Sequence, residues 1–285
     1  MNALLSTTLS FMGRDEELAA LTRGLLEGVR LTTVEGPAGV GKTRLAQTVL
    51  AQVRPHFPDG AFEVDLAPLT ALSQVAPAML GALGLRDLGP KSPEDSLLDH
   101  LESHHLLLLL DNHEHLPELC HRVQAWLECC PGLSLLATGR EALHLPLEQA
   151  FRLAPLPLPE TGAPLEALRG NSALCLLLAR SKLTLSADNA PVLTELVRRL
   201  DGLPLALELA AARLDVFEPQ TLLARLKAHL PLPPVSNPVR SPRHRSLEAA
   251  IAWSVNALDA QHRAALEQLS VFSGGWSLEA AEAAH

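Results

Sequence analysis

The sequence predicts an α/β protein: a five-stranded parallel sheet with helices on both faces, followed by a small helical domain and the start of a third domain. Three observations predict this arrangement. Short apolar runs alternate with helical patterns over roughly the first half of the 285 residues. A proline-dense stretch at 153–164, LAPLPLPETGAP, interrupts this alternation. Beyond it, Leu and Ala recur only at helical spacing.

Each predicted strand is a short apolar run, and the most apolar one, LLLLLD at 106–111, suits a strand buried on both faces. The strands are predicted at 31–36, 61–67, 105–112, 133–140 and 150–155, and the helices between them at 14–27, 42–53, 72–83, 94–102 and 117–129. After the prolines, helices are predicted at 173–183, 192–200, 203–214 and 219–230, and two more at 246–259 and 260–272. The patterns divide the chain into a first domain at 1–155, a helical lid domain at 156–230, a Pro-rich linker at 231–245 and a third domain at 246–285, which we expect to be cut off partway.

Composition limits the classes of function. A net charge of −9 and an aromatic share of 3% disfavour direct nucleic-acid binding by this chain, because duplex binders are basic and single-strand binders stack bases on aromatic rings. The four cysteines lack metal-ligand or disulfide spacing, so we expect reduced, buried side chains. The first residues do not resemble a signal peptide, and no apolar run is long enough to cross a membrane. We therefore expect a soluble, cytoplasmic protein without a membrane partner.

A phosphate-binding loop is predicted between the first strand and the following helix. The motif G-x-x-x-x-G-K-[ST] occurs there in a strand-turn-helix context, which makes it specific. Glycines let the backbone wrap around phosphates, Lys42 reaches the terminal phosphates, and Thr43 ligates Mg²⁺. The predicted nucleotide-binding residues of this loop are Gly36, Pro37, Ala38, Gly39, Val40, Gly41, Lys42, Thr43 and Arg44.

An acid for the metal is predicted at the end of the third strand. Asp111 follows the apolar run LLLLL and can hold the Mg²⁺ hydration shell, so Thr43 and Asp111 are the predicted metal ligands. The next residue is Asn112, which cannot accept a proton from water. Glu114 could do so, but its direction cannot be predicted at a strand-to-helix turn. The sequence therefore predicts slow hydrolysis of ATP.

The fourth strand ends in ATGR, which places Thr138 and Arg140 on the same edge of the sheet as the phosphate-binding loop. A cation there would sense the γ-phosphate, although a solvated arginine at a strand end is an equal alternative. Lys42, Asp111 and Arg140 are the predicted catalytic residues.

Residues 100–121 are rich in histidine, with Cys120 nearby. A zinc site is one interpretation, but no pair has a common zinc-ligand spacing. We therefore favour solvated or core histidines.

With these motifs in hand, the chain resembles the STAND-class P-loop ATPases, in particular the NB-ARC-like module of bacterial transcriptional regulators. The resemblance rests on the order of FMGRDEEL, GPAGVGKTRLA, LLLLLDNHEHL, LLATGREAL, DGLPLALELAAARL and SLEAAIAWS. It implies the P-loop NTPase fold and a third domain that is the start of a winged-helix-like domain. It further implies that Phe11, Gly13 and Arg14 lie near the adenine and phosphates, that Arg140 contacts the γ-phosphate, and that Pro204 packs against the base.

The residues and the resemblance together predict an ATP/ADP-binding molecular switch, clamped between two domains, with weak Mg²⁺-dependent ATPase activity. Its expected partners are nucleotide and, on activation, further copies or effector domains. Two alternatives stay open: an AAA-type motor or loader, which Asn112 disfavours, and a non-enzymatic scaffold in which nucleotide only joins two domains. A small-molecule kinase is disfavoured because no Arg-rich lid follows the first domain.

Overall fold

The structure is a computed structural model that describes residues 12–85, 91–228 and 260–270. The chain forms two compact units, Met1–His229 and Leu230–His285. The predicted boundary at residue 155 lies inside the first unit, and separate domains on either side of it stay a prediction. The predicted linker at 231–245 and the predicted helix at 246–259 lie outside the described residues.

A five-stranded parallel sheet forms the centre of the first unit, as predicted. Its strands run in the order β2-β3-β4-β1-β5, so β1 lies between β4 and β5. The strands are β1 (Leu31–Glu35), β2 (Ala61–Asp65), β3 (Leu106–Asp111), β4 (Leu133–Gly139) and β5 (Glu148–Arg152). Sequence analysis placed β5 about two residues too late, because the apolar run AFRLAP starts inside the strand.

Helices occur before β1, in the connections from β1 to β4 and after β5, whereas a segment without a helix joins β4 to β5. The first five are α1 (Asp15–Leu26), α2 (Lys42–Val53), α3 (Val75–Ala82), α4 (Pro93–Glu102) and α5 (Leu119–Cys129). Five more form the predicted lid, α6 (Leu165–Arg169), α7 (Ser172–Arg180), α8 (Ala190–Arg199), α9 (Pro204–Ala211) and α10 (Pro219–Lys227), and α11 (Ala260–Leu269) lies in the second unit. The predicted helix at 72–83 divides into a 3₁₀ turn at Leu72–Gln74 and α3, and α6 was not predicted.

Helices cover both faces of the sheet, as predicted, and β3 shows how. Leu106, Leu108 and Leu110 pack against α3, α4 and α5, whereas Leu107 and Leu109 pack in the core that contains α1 and α2. All five side chains are fully buried. Because side chains alternate along a strand, an unbroken apolar run is what a strand between two helical layers requires.

Two smaller predictions can be compared with the structure. The four cysteines are free, but only Cys130 is buried, and Cys129 is exposed at the end of α5. The expectation of buried cysteines is therefore wrong for Cys129, because the helix ends with that side chain towards solvent. Over the described ranges, none of the helices is both long and apolar enough to cross a membrane.

Candidate functional site

The phosphate-binding loop connects β1 to α2 at the carboxyl edge of the sheet. Gly41 is the N-cap of α2 with φ of +102°, a left-handed conformation that favours glycine, and no side chain caps the helix. The N–H groups of the first helical turn are therefore open to an anion, which the helix dipole also favours. The other members of the loop, Gly36, Pro37, Ala38, Gly39 and Val40, precede Gly41, and Val40 packs into the core beneath it.

Lys42 lies over this loop. Its side chain is buried, and Nζ donates hydrogen bonds to the carbonyl oxygens of Gly36 at 2.7 Å and Pro37 at 3.1 Å. The ammonium group is thus held against the two residues that begin the loop. A phosphate bound by the loop would lie within reach of this charge, although its role in binding stays a prediction.

Asp111 ends β3 and is only 3% exposed. One carboxylate oxygen, Oδ1, accepts hydrogen bonds from the hydroxyl groups of Thr43 at 2.7 Å and Thr138 at 2.5 Å. Burial raises the pKa of Asp111, while the two hydroxyl groups act in the opposite direction. The structure thus brings together the two predicted metal ligands, Thr43 and Asp111, with Thr138 as a third group that we had not assigned to the metal.

Asn112 turns back towards Asp111. Its φ is +64°, its N–H donates to the Thr138 hydroxyl at 3.0 Å, and its side-chain amide donates to Oδ2 of Asp111 at 2.7 Å. Asn112 therefore completes the hydrogen bonds of the carboxylate and offers no base to a water molecule.

Glu114 points towards Arg140, a direction that sequence analysis left open. It lies in the 3₁₀ turn His113–His115, and its Oε1 lies 3.6 Å from Nε of Arg140. Arg140 follows β4 and lines a cavity of about 300 Å³ next to the phosphate-binding loop. The cavity is lined by Glu35, Gly36, Pro37, Arg140, Glu141 and Arg152. The structure thus places Arg140 beside the loop, while its contact with a γ-phosphate stays a prediction.

His113 packs against the end of β4, close to the segment that carries Arg140. The side chain is buried, and a Cβ on Gly139 would overlap its ring, so the ring fills the space beneath the end of β4. Burial lowers the pKa of His113, which favours the neutral ring. No cluster of three or more His, Cys, Asp or Glu side chains suited to a metal ion occurs in the described part of the chain.

Gly13 and Arg14 contact the segment after β5 and the first residue of α7. Arg14 is almost fully buried, and its guanidinium donates to Glu17 at 2.7 Å and to the carbonyl of Ala154 at 2.5 Å. Gly13 has φ of +69° and lies against Ser172, the first residue of α7. These contacts fix the positions of Gly13 and Arg14, and their proximity to adenine stays a prediction. Phe11 lies outside the described residues.

The lid contacts the phosphate-binding loop directly. Pro204 begins α9, and the next N–H, that of Leu205, donates to the carbonyl of Gly39 at 3.1 Å. Glu208 on the same helix forms ion pairs with Arg44 on α2 and Arg180 on α7, both at 3.3 Å. Sequence analysis did not predict these contacts, because the position of α9 depends on tertiary packing.

Comparisons with known proteins agree with this geometry. A family model described as an AAA domain matches residues 26–144, a range that contains the phosphate-binding loop and Asp111. The chain is 39% identical over 277 residues to the uncharacterized protein Rv0894 of Mycobacterium tuberculosis, covering 96% of this chain and 68% of that protein. It is 35% identical over 264 residues to Rv0890c of the same organism, named as an HTH-type transcriptional regulator, covering 92% of this chain and 29% of that protein.

A solved structure supports the fold. The Walker-type ATPase paby2304 of Pyrococcus abyssi superimposes with a TM-score of 0.54 at 16% identity, covering 90% of this chain and 77% of that one. The chain therefore belongs to the same family as Rv0894, and its residues 26–144 form a P-loop ATPase domain of the AAA type.

Proposed function

We propose that this chain is an ATP/ADP-binding molecular switch of the STAND type, with slow Mg²⁺-dependent ATP hydrolysis, and that it serves as the regulatory module of a signal-responsive transcriptional regulator. The observation that carries the proposal is the contact between the lid and the phosphate-binding loop. The N–H of Leu205 donates to Gly39 of the loop, and Glu208 pairs with Arg44 on the helix that the loop begins. A change of phosphate state is thereby transmitted to the lid.

The residues present fit a magnesium ion. Mg²⁺ prefers oxygen ligands, and the Thr43 hydroxyl and Asp111 carboxylate already lie 2.7 Å apart at the phosphate end of the site. We infer that these two residues hold the ion. When bound, it supplies positive charge to the phosphate oxygens.

Slow hydrolysis follows from the groups near Asp111. The side chain next to the metal carboxylate is the amide of Asn112, which is held as a hydrogen-bond donor to Asp111. Removing a proton from attacking water needs a base within hydrogen-bond reach. Asn112 is not such a base. Lys42 and the loop therefore bind and orient the phosphates but do little to promote their transfer to water.

The energy required of such a switch is modest. Shifting a two-state equilibrium from mostly one form to mostly the other takes about 5.5 kcal/mol of differential affinity. A γ-phosphate offers charge-assisted contacts to Lys42, Arg140 and the metal that ADP lacks, and hydrogen bonds to charged groups contribute about 1.5–3 kcal/mol each. Together these contacts are sufficient to change the position of the lid.

The regulatory role rests on the relatives. The chain matches only 29% of Rv0890c, which is named as a transcriptional regulator, so that protein carries other regions besides this module. We propose that those regions bind DNA and that this acidic chain does not. Self-association or contact with an effector domain on activation is part of the same proposal.

The AAA-type motor stays a specific alternative, because a Walker-type ATPase shares the fold. A motor would hydrolyse ATP steadily and would be stimulated by assembly. The scaffold alternative instead predicts the same stability and shape with ADP and with an ATP analogue.

The first experiment is to purify the protein without added nucleotide, denature it and identify the released molecules by chromatography. Stoichiometric ADP would support a resting switch that is activated by exchange. An empty site that exchanges ADP and ATP freely would count against the switch and favour the motor.

Replacing Lys42 by alanine tests the site itself. Since charged hydrogen bonds contribute about 1.5–3 kcal/mol, we expect roughly 10- to 100-fold weaker ATP binding by calorimetry. Lys182→Ala, which removes an exposed lysine of the lid, is the control and should bind like the parent. Unchanged ATP affinity in Lys42→Ala would contradict the assignment of this loop.

A further inference from the structure

Glu114 and Arg140 form an ion pair at the edge of the nucleotide site. The pair joins two different segments of the chain, since Glu114 follows β3 and Arg140 follows β4. The separation of Oε1 and Nε is 3.6 Å, and the side chains are 14% and 26% exposed. The pair is therefore largely shielded from solvent. Two charges in such a position interact more strongly than two charges at the surface.

Glu114 depends on this pairing. Its second oxygen, Oε2, is buried and has no hydrogen-bond partner among the described residues. A buried carboxylate that loses its cation is strongly destabilised, because neither water nor a second donor replaces it. Drawing Arg140 away from Glu114 thus has an energetic cost.

Arg140 also faces the place where a terminal phosphate is expected. It lines the same cavity as Gly36 and Pro37, whose carbonyl groups hold the ammonium of Lys42. A γ-phosphate bound by the loop and Glu114 are both anions within the range of one guanidinium group. They compete for it because Glu114 already offsets part of the positive charge of the guanidinium, so a second anion gains less from the same group.

We propose that Glu114 is a specificity-determining residue that competes with the γ-phosphate for Arg140 and thereby sets the preference of the site for ATP over ADP. This inference rests on the proposed nucleotide switch. With ADP bound, the ion pair is intact. With ATP bound, the phosphate must displace Glu114, so part of the binding energy of the γ-phosphate is offset and ADP is favoured at rest.

The test is Glu114→Gln, with affinities for ADP and for a non-hydrolysable ATP analogue measured by calorimetry in Mg²⁺. Removing the competitor should raise the ratio of analogue affinity to ADP affinity roughly 3- to 10-fold, the range of a partly buried ion pair, with ADP affinity unchanged. Glu114→Asp keeps the charge but shortens the side chain, and should give a smaller rise in the same direction.

Glu118→Gln is the matched control, because Glu118 is exposed, lies outside the cavity beside the loop and carries the same charge. It should change the ratio less than about twofold. A second control repeats Glu114→Gln in an Arg140→Ala background, where the ratio is expected to start below that of the parent. In that background, Glu114→Gln should not change the affinity ratio further, since the cation for which the two anions compete is absent.

Several results would overturn the inference. They are an unchanged ratio in both Glu114 variants, an equal fall in affinity for both nucleotides, an equal rise in Glu118→Gln, or a full effect that persists without Arg140. A parent protein that binds neither nucleotide would overturn the proposed function as well. A parent that binds both, with a ratio insensitive to Glu114, would overturn this inference alone.

Discussion

Asp111 carries a carboxyl group that is almost fully buried. Burial raises its pKa above the ordinary value of 3.8, which means that the folded protein binds this proton more tightly than the unfolded chain does. The free energy of unfolding therefore falls as the pH rises from the ordinary pKa through the folded one. At neutral pH the metal-free protein holds a carboxylate whose charge only a bound cation would fully compensate.

Asp111→Asn should remove this cost while keeping an oxygen that accepts from Thr43 and Thr138. The new amide N–H then faces Asn112, whose side-chain amide must turn so that its oxygen accepts this hydrogen bond. We expect the metal-free variant to melt a few degrees above the parent at pH 7, the change that about 1 kcal/mol produces in a protein of this size. The difference should shrink as the pH is lowered through the folded pKa, because the parent carboxyl then becomes neutral. Calorimetric melting across pH measures this, and nucleotide binding by the variant should no longer respond to Mg²⁺.

Asp188→Asn provides the control for this prediction. Asp188 is exposed in the turn before α8, and its removal makes the same change of net charge. An equal rise in melting temperature in Asp188→Asn would attribute the effect to the net charge of −9 and not to burial.

Residue types at the site were easier to predict than their directions. The spacing of Gly36, Gly41, Lys42 and Thr43 indicates phosphate binding in any strand-turn-helix context. The direction of Glu114 was not predictable, because it depends on the left-handed Asn112 before it and on Arg140, 26 residues later at the end of β4. Such contacts depend on which strands pair in the sheet, and the local sequence does not indicate that pairing.

At the scale of elements, the three central strands β1, β3 and β4 were predictable because they are buried on both faces, whereas the edge strands β2 and β5 are partly exposed. An unbroken apolar run such as Leu106–Leu110 allows few other structures in a chain of this composition. The helix α6 was missed because it has only five residues and follows a proline-dense stretch. The 3₁₀ turn before α3 was missed because a hydrophobic pattern scarcely separates the two helix types.

The junction of α9 with the phosphate-binding loop gives a prediction at this scale. Gly39 has φ of +79°, and a Cβ there would lie 3.0 Å from the Cβ of Leu205. Gly39→Ala should therefore cost about 1–2 kcal/mol in backbone strain and also push the lid away from the loop. We expect weaker ADP binding by calorimetry together with a lower melting temperature.

Gly162→Ala separates these two effects. Gly162 has nearly the same backbone conformation, with φ of +78°, but a Cβ there would meet no atom within 4 Å. It should lower the melting temperature by strain alone and leave ADP affinity unchanged. If both variants lost ADP affinity equally, the contact between Gly39 and Leu205 would not be part of the nucleotide site.

For the whole molecule, the switch predicts that the lid responds differently to the two nucleotides. The amide of Leu205 reports on this, because its hydrogen bond to Gly39 joins the lid to the loop. We expect its hydrogen exchange to slow when ADP binds and to differ between ADP and a non-hydrolysable ATP analogue. Amide exchange in the central strand β3 should not differ. Identical protection of Leu205 in both states would favour the scaffold alternative.

The place of β1 in the sheet has a consequence for how the protein is made. Leu31 at the start of β1 pairs with Leu135 of β4 and Glu148 of β5, roughly one hundred residues later in the chain. During synthesis, β1 can therefore complete its pairing only after both neighbouring strands have been made. Long loops must close before its hydrogen bonds form. The site cannot exist on a nascent chain that ends before β4, so nucleotide captured by this protein marks a chain whose sheet has already been completed.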